Sequence, residues 1–356
     1  MVAPGASWRP RTAGVSLAAM ASARVASFDP LLSADQAASM VRLCERFGSY
    51  GMYSEEPTFE GLGKGLPARW DAVRYFLRTG GRFARDEPIE RLAARTNYFR
   101  ETYAYGAKPG IAGIEPFLFH EGFVEAARAL HGRPVIQPAI VFANLLVPGQ
   151  ELSVHTDVPE FRGINRTRHP QWLIVAMRHS ELFESWRMPI ATGVAWFHDC
   201  RGGEFAFYPD GADAPPRAHP VRYNTALLLD TDTIFHGVDR VAETSEAVDG
   251  LRPGMRLTFA GDRQWEVYHG ERVVKRYRWE ELRFSISWKA YCFADEAEQR
   301  AWFEHHDDIA VGAVVDRMVE DLRARGRIGG DLPPERELID LIIDEYVHYP
   351  EPRAAA

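Results

Sequence analysis

The sequence predicts a mainly β fold, an antiparallel sandwich or barrel that is flanked by helices. From Pro134 to Phe293, short runs of β-branched and aromatic residues alternate with Gly, Pro, Asn and Asp, as in proteins built from many short antiparallel strands. Apolar residues recur at helical spacing before and after this segment, and no internal repeat or long linker divides the chain. We therefore expect one domain over residues 29–356, with a β core clasped by helices.

The segment before Pro134 is predicted to be a helical N-terminal part, residues 29–133. Ser33 is a suitable cap for a helix that continues to about Phe47, and further helical patterns cover residues 70–79, 89–95 and 115–131. Residues 61–65 and 106–113 are rich in glycine and are predicted to be loops.

The β core is predicted over residues 134–295, and helices follow it over residues 296–356. The predicted strands are 135–147, 152–155, 172–177, 194–197, 204–208, 226–229, 235–241, 256–259, 265–268, 272–277 and 283–293. His269-Gly270 is typical of a hairpin turn. The predicted C-terminal helices are 296–305, 309–325 and 335–346.

Composition and charge restrict the partners of the protein. Apolar residues make up 46% of the chain and charged residues 26%, which is normal for a globular protein with a sizeable core. The net charge of −8 argues against a nucleic-acid partner, because phosphates require a basic surface. No stretch approaches the roughly 18–20 apolar residues that span a bilayer, so we expect no membrane partner either.

The cysteines and the N-terminus bear on localisation. Cys44, Cys200 and Cys292 are odd in number and lack CxxC spacing, so neither a disulfide scaffold nor a structural zinc site is expected. Reduced thiols suit a reducing compartment, and we expect the protein to be cytoplasmic. Residues 1–28 contain no acidic residue and many Ala and Ser, which favours a disordered leader or an over-extended gene start over a signal or transit segment.

A His-x-Asp triplet is the first candidate for metal binding. His155 and Asp157 lie on a predicted strand, where residues i and i+2 point to the same side. Two imidazoles and one carboxylate on one face of an octahedron hold Fe(II) and leave three positions open. The second imidazole must come from a distant strand, and His236 is the candidate.

The same triplet also occurs by chance. Residues 305–307 and 306–308 fit the letters, but they lie in an acidic stretch that is predicted to be helical. In a helix, residues i and i+2 diverge by about 200°. We therefore interpret these two triplets as a solvated surface.

Three segments resemble the 2-oxoglutarate/Fe(II) dioxygenase superfamily, in particular its prolyl-hydroxylase-like branch. Residues 146–149 (Leu-Val-Pro-Gly) precede His155-Thr-Asp157 by five residues, and residues 202–209 (Gly-Gly-Glu-Phe-Ala-Phe-Tyr-Pro) look like its strand–turn–strand signature. Residues 224–238 are similar to the strand that carries its distal histidine. The resemblance implies a double-stranded β-helix core (jelly-roll, cupin-like), the iron ligands His155, Asp157 and His236, and the use of Fe(II), 2-oxoglutarate and O2.

The resemblance also implies a cation for the distal carboxylate of 2-oxoglutarate. In the family this is an arginine at the start of the last barrel strand, often as R-x-S, and Arg283 and Ser285 look like that element. The family arginine follows the distal histidine closely, whereas Arg283 lies 47 residues beyond His236, and Arg256, 20 residues beyond, is the alternative. If Arg283 is the anchor, residues 243–282 are an inserted loop and hairpin near the cavity mouth.

Two further positions concern the same pocket. Asn144 is an amide in an otherwise apolar strand, and it is a candidate either for binding a co-substrate carboxylate or for a buried structural hydrogen bond. Leu146 stands where relatives often carry tyrosine, so another group must replace the missing hydroxyl.

The resemblance implies hydroxylation of an unactivated C–H bond, with release of succinate and CO2. A carboxylate at position 157 argues against halogenation, because halogenating relatives have a small residue there. We expect a small molecule or an amino-acid- or peptide-like substrate, in a cavity lined by parts of residues 98–105, 161–169, 180–188 and 243–282. Arg162, Arg166 and Arg168 either receive an acidic group or belong to a solvated loop. The oligomeric state is left open.

Two other functions fit the same fold. One is a cupin-type metalloenzyme that does not use 2-oxoglutarate and needs no anchoring arginine. The other is a catalytically silent binding protein, against which an intact set of three ligands argues.

Overall fold

The computed structural model describes residues 24–52, 91, 94–242 and 248–351. The helix predicted over residues 70–79, the loop over 61–65, most of the helix over 89–95 and most of the predicted leader lie outside the described residues.

The described helices stand on both sides of the β core. They are α1 (Ala34–Phe47), α2 (Glu115–Leu118), α3 (Glu121–His131), α4 (Gln171–Ser180), α5 (Glu296–Phe303), α6 (Val311–Ala324) and α7 (Glu335–Tyr346). Ser33 caps α1 in a capping box with Gln36, as the sequence predicts. Within the described residues, no helix has the length and apolar character that are required to cross a bilayer.

Fifteen strands are described. They are β1 (Val25–Phe28), β2 (Ser49–Met52), β3 (Phe99–Tyr105), β4 (Lys108–Pro109), β5 (Val135–Leu146), β6 (Leu152–His155), β7 (Ile190–Trp196), β8 (Phe205–Phe207), β9 (Arg217–His219), β10 (Thr225–Leu229), β11 (His236–Val238), β12 (Arg256–Gly261), β13 (Gln264–His269), β14 (Arg272–Arg278) and β15 (Arg283–Phe293).

These strands form two sheets. The larger has the order β1-β10-β7-β15-β5-β3-β2-β12-β13-β14, with β4 beside β3, and the smaller has the order β6-β11-β8-β9. From β5 onward the chain passes back and forth between them, placing β5, β7, β10 and β15 in the larger sheet and β6, β8, β9 and β11 in the smaller. This alternation is a double-stranded β-helix, so the predicted fold class is confirmed.

Burial on both faces explains why the sequences of the central strands are continuously apolar. Every residue of β7 and β10 is buried, because the larger sheet is covered on both faces. Its inner face contributes Trp196 and Leu229 to a cluster with Phe205 and Val238 of the smaller sheet. Its outer face packs against α1 and α3.

The N-terminal part contains strands that the sequence analysis did not predict. Residues 25–28, assigned there to the leader, form β1 and pair with β10. Within the segment predicted to be helical, β2 and β3 extend the larger sheet through pairing of β3 with β5. Their positions depend on a partner strand distant in sequence, and runs this short carry little periodicity of their own.

The strand predicted over residues 172–177 is wrong. These residues lie in α4, which follows Pro170 and packs with α6 and α7 in a second apolar cluster. Nearly all of α4 is buried, so it shows a continuous apolar run, and periodicity cannot distinguish such a run from a buried strand.

The insertion before β15 joins the larger sheet. Residues 256–278 form the three strands β12, β13 and β14, with the predicted hairpin turn at Gly270. Because β12 pairs with β2, this meander lies at the far end of the sheet. Among its described residues, 248–282, none lines the cavity described below, contrary to the predicted place near the cavity mouth.

Candidate metal centre

The predicted ligands His155, Asp157 and His236 come together between the two sheets. β6 and β11 are antiparallel neighbours whose register places His155 opposite His236, and Asp157 follows the end of β6. One ligand atom from each residue lies within 4.8 Å of the others. The Nε2 atoms of His155 and His236 are 3.7 and 3.8 Å from Asp157 Oδ1. All three residues are buried.

Backbone carbonyl groups orient both imidazoles. Nδ1 of His155 lies 2.6 Å from the carbonyl oxygen of Ser153, and Nδ1 of His236 lies 2.9 Å from that of Ile234. Each Nδ1–H therefore donates to a carbonyl, which leaves the Nε2 lone pair directed at the site. Two imidazole nitrogens and one carboxylate oxygen on one side of a cavity form a donor set that fits Fe(II).

The carboxylate of Asp157 is held by its other oxygen. Oδ2 accepts hydrogen bonds from Thr231 Oγ1 and Lys289 Nζ, each at 2.7 Å. Thr231 Oγ1 lies 2.7 Å from the hydroxyl of Thr192, and the Asp157 backbone N–H donates to the Thr231 carbonyl at 2.8 Å. Oδ1 therefore faces the two histidines. Neither Thr231 nor Lys289 is predicted from the sequence, although a lysine within the apolar run of β15 is a signal that points to a polar contact.

Gly237 allows β11 to approach β6 closely. A Cβ atom at this position would lie 2.7 Å from the Leu152 carbonyl oxygen, which is backbone and cannot move aside. The His-Gly pair thus keeps the two histidine-bearing strands in contact.

One cavity contains the three ligands and extends to the other predicted site residues, Arg283, Ser285 and Asn144. Ser285 on β15 is the cross-strand partner of Asn144 on β5. The Arg283 side chain is buried; its Nε donates to the Gly203 carbonyl at 2.7 Å and its Nη1 to Ser285 Oγ at 3.1 Å. Burial lowers the pKa of Arg283 to about 10, so the group stays charged at neutral pH.

The alternative anchor Arg256 lies elsewhere. It is on β12, and its half-exposed side chain forms an ion pair with Glu101 at 3.1 Å and a hydrogen bond with Ser49. It does not line the cavity.

Tyr98 belongs to residues 98–105, which the sequence places at the cavity, and its side chain does line the cavity. Phe99 pairs with Leu145, so Tyr98 lies beside Leu146 on the neighbouring strand, and both line the cavity. A tyrosine from the β3 side thus stands next to the position where the sequence lacks one. The described parts of residues 161–169 and 180–188, also expected at the cavity, do not line it; residues 161–168 contribute to a second pocket.

Gly203 makes room for Arg283, which gives a testable expectation. A Cβ atom at Gly203 would lie 2.7 Å from Arg283 Cδ, so Gly203→Ala must displace the arginine. If Arg283 binds a carboxylate of 2-oxoglutarate, as the sequence resemblance implies, the KM for 2-oxoglutarate should rise at least about tenfold with Mn(II) affinity unchanged, in titrations of both ligands. Gly211→Ala is the matched control, because Gly211 also has a positive φ but nothing within 4 Å of its Cβ position. Equal effects of the two variants would contradict this account.

No family model and no curated protein matches the chain. Similar solved structures include a 2OG-Fe(II) oxygenase family oxidoreductase from Burkholderia pseudomallei (12% identity, 80% of this chain and 93% of that chain, TM-score 0.40). They also include a Pseudomonas putida prolyl-4-hydroxylase (10%, 77% and 95%, TM-score 0.38) and AviO1 from Streptomyces viridochromogenes (15%, 79% and 96%, TM-score 0.39).

Because these TM-scores are low, the similarity carries no argument about function, and only the geometry of the site bears on it. Two histidines and one aspartate, buried between the sheets of a double-stranded β-helix, share a cavity with a buried arginine. The described strands form a double-stranded β-helix, and His155, Asp157 and His236 lie together inside it. Both features are those that the sequence motifs imply.

Proposed function

We propose that this protein is a 2-oxoglutarate- and Fe(II)-dependent dioxygenase that hydroxylates an unactivated C–H bond of a small molecule or an amino-acid- or peptide-like substrate. Succinate and CO2 are the co-products. The observation that supports it most directly is the single cavity holding both the His155/Asp157/His236 set and the buried cation Arg283. A metal set alone is equally compatible with a cupin-type enzyme, whereas a buried arginine in the same cavity provides a positive charge that suits a carboxylate ligand.

In this proposal His155, Asp157 and His236 would hold the metal. When bound, iron with 2-oxoglutarate and O2 supplies the oxidising chemistry. The protein's task is to fix the metal geometry, to orient the co-substrate and to exclude water. Leu146, Leu152 and other apolar side chains line the cavity and provide dry walls for it.

Arg283 binds the distal carboxylate of the co-substrate. A guanidinium has five N–H donors in a planar fork that matches a carboxylate, and Gly203 and Ser285 orient that fork from two sides. Asn144, whose Oδ1 has no hydrogen-bond partner among the described residues, adds an amide at the same wall. The hydroxyl of Tyr98 replaces the tyrosine that position 146 lacks.

The second pocket supports an amino-acid- or peptide-like substrate. It is lined by Glu160, by Arg162 and Arg168 and by the ring of Trp302. The Tyr291 hydroxyl, two residues beyond Lys289 on β15, donates to Glu160 at 3.1 Å, which connects this pocket to the strand that passes the metal site. The carboxylates of Glu160 and Asp308 together with two guanidinium groups suit a ligand that carries both charges.

An anaerobic titration with Fe(II) and 2-oxoglutarate tests the proposal. We expect a weak metal-to-ligand charge-transfer band in the visible, and succinate formation that a screen of amino acids, peptides and small metabolites increases. A cupin-type enzyme would give no such band. A silent binding protein would form no succinate with any compound in the screen.

Tyr98→Phe tests the proposed replacement of the missing hydroxyl. Loss of one hydrogen bond to a carboxylate costs about 1.5–3 kcal/mol, so we expect the KM for 2-oxoglutarate to rise about ten- to hundredfold in steady-state assays. The kcat should change much less, because the ring still fills the cavity wall. Tyr105→Phe, at a residue that is 68% exposed, is the control. An unchanged KM in Tyr98→Phe would exclude this role.

A further inference from the structure

Lys289 lies where the strand that carries Arg283 passes the metal ligands. Side chains alternate along β15, and a single face carries Arg283, Ser285 and Lys289. The ammonium group of Lys289 is 2.7 Å from Asp157 Oδ2 and 3.9 Å from Asp232 Oδ1. The Lys289 side chain is only 16% exposed, so this charge is placed against the site and not in solvent.

Asp232 places a second carboxyl group close to Lys289. It is fully buried, and neither of its carboxylate oxygens has a hydrogen-bond partner among the described residues. Burial raises the pKa of Asp232, and the Lys289 charge opposes that rise. The nearby Arg187 is engaged with Asp230 and Glu184. Lys289 is therefore the cation closest to both Asp157 and Asp232 among the described residues.

The contact has two consequences for a metal at this site. Lys289 and Thr231 both bind Oδ2, so the Asp157 carboxylate cannot rotate to present both oxygens to the metal. The positive charge of Lys289 beside Oδ2 also reduces the negative potential of the Asp157 carboxylate at the metal position. The same charge repels a divalent cation, and the repulsion is strong because the buried site has a low dielectric constant. Lys289 therefore orients the Asp157 carboxylate and lowers the affinity of the site for a divalent cation.

We propose that Lys289 is a positioning residue of the metal centre, which restricts Asp157 to binding through Oδ1 and lowers the affinity of the site for divalent cations. The proposal rests on the metal site of the proposed function. By restricting Asp157 to one oxygen, Lys289 leaves the remaining positions on the metal to the co-substrate.

Mn(II) binding without 2-oxoglutarate tests the effect of the charge. We expect Lys289→Met to bind Mn(II) at least about tenfold more tightly than the wild type, measured by electron paramagnetic resonance of free Mn(II). Lys289→Arg, which keeps the charge, should stay within about threefold of the wild type. Lys108→Met, which removes an exposed lysine on β4, should bind as the wild type does. Equal or weaker binding by Lys289→Met would overturn the proposal.

The Co(II) absorption spectrum tests the orientation. In Lys289→Met the Asp157 carboxylate is free to use both oxygens, so the d–d bands should change in position and intensity. Lys289→Arg should retain the wild-type bands. A general loosening of the fold would weaken binding in every variant and would not give this pattern.

A further pair of variants allows for misfolding, because Lys289→Met leaves Asp232 buried without a cation. Asp232→Asn and Lys289→Met/Asp232→Asn both lack the buried carboxylate, and the double variant should bind Mn(II) at least about tenfold more tightly than Asp232→Asn. Equal binding would overturn the proposal. If the wild type itself does not bind Mn(II), the proposed function fails; if it does, and only the lysine variants show no effect, only the role of Lys289 fails.

Discussion

Asp157→Ala is expected to abolish succinate formation and to weaken Mn(II) binding by more than ~100-fold, since even the groups that hydrogen-bond to metal ligands are worth about 10–100-fold in metal affinity. The substitution removes the only anionic ligand of the set. It also leaves the ammonium group of Lys289 beside the metal position without its partner 2.7 Å away, which adds repulsion to the loss of a bond. Succinate assays with Fe(II) and Mn(II) titrations measure the two effects.

Asp210→Ala provides the control for Asp157→Ala. Asp210 is exposed, pairs with Arg217 on the surface and lies outside the cavity, so both readouts should stay at the wild-type level. Circular dichroism should show that both variants remain folded. Unchanged turnover in Asp157→Ala would refute the metal assignment.

Arg283→Met is expected to raise the KM for 2-oxoglutarate by ~100-fold or more, because truncation of one partner of a buried charge pair costs about 2–5 kcal/mol. Mn(II) affinity should be preserved, since Arg283 contacts Gly203 and Ser285 and none of the three metal ligands. Titration of the charge-transfer band with 2-oxoglutarate measures the change directly.

Arg256→Met is the matched control for this prediction and also decides between the two anchors. Arg256 is half-exposed and paired with Glu101, so its removal should leave the KM for 2-oxoglutarate unchanged. A rise in KM confined to Arg256→Met would make Arg256 the anchor and would require the opposite assignment.

The central strands and the candidate pair His155/Asp157 could be predicted from the sequence because they depend on local patterns. The His-x-Asp spacing suggests that His155 and Asp157 point to the same side, and the structure brings them together although β6 ends at His155. The third ligand required the resemblance, because nothing in the spacing of His236 shows that β11 pairs with β6. The α4 helix was misread because burial on all sides removes the polar face that reveals a helix.

The contacts of the side chains around the ligands could not be predicted from local sequence patterns. Lys289 and Asp157 are 132 residues apart, and Tyr98 reaches the cavity only because β3 pairs with β5. Neither contact produces a motif, since each depends on which strands become neighbours. Arg283 was selected over Arg256 for its long apolar strand, and the same property buries it.

The β15 strand fixes the distance between the Arg283 guanidinium and the metal ligands, because Arg283 lies at its start and Lys289, which contacts Asp157, lies six residues further along it. A strand advances about 3.3–3.4 Å per residue, so moving the guanidinium by two positions would change its distance from the metal ligands by ~7 Å. That step exceeds the length added by one methylene group in a series of dicarboxylic acids. For the proposed co-substrate, chain-length selectivity is therefore set by backbone register, and single substitutions in the cavity wall can only adjust it.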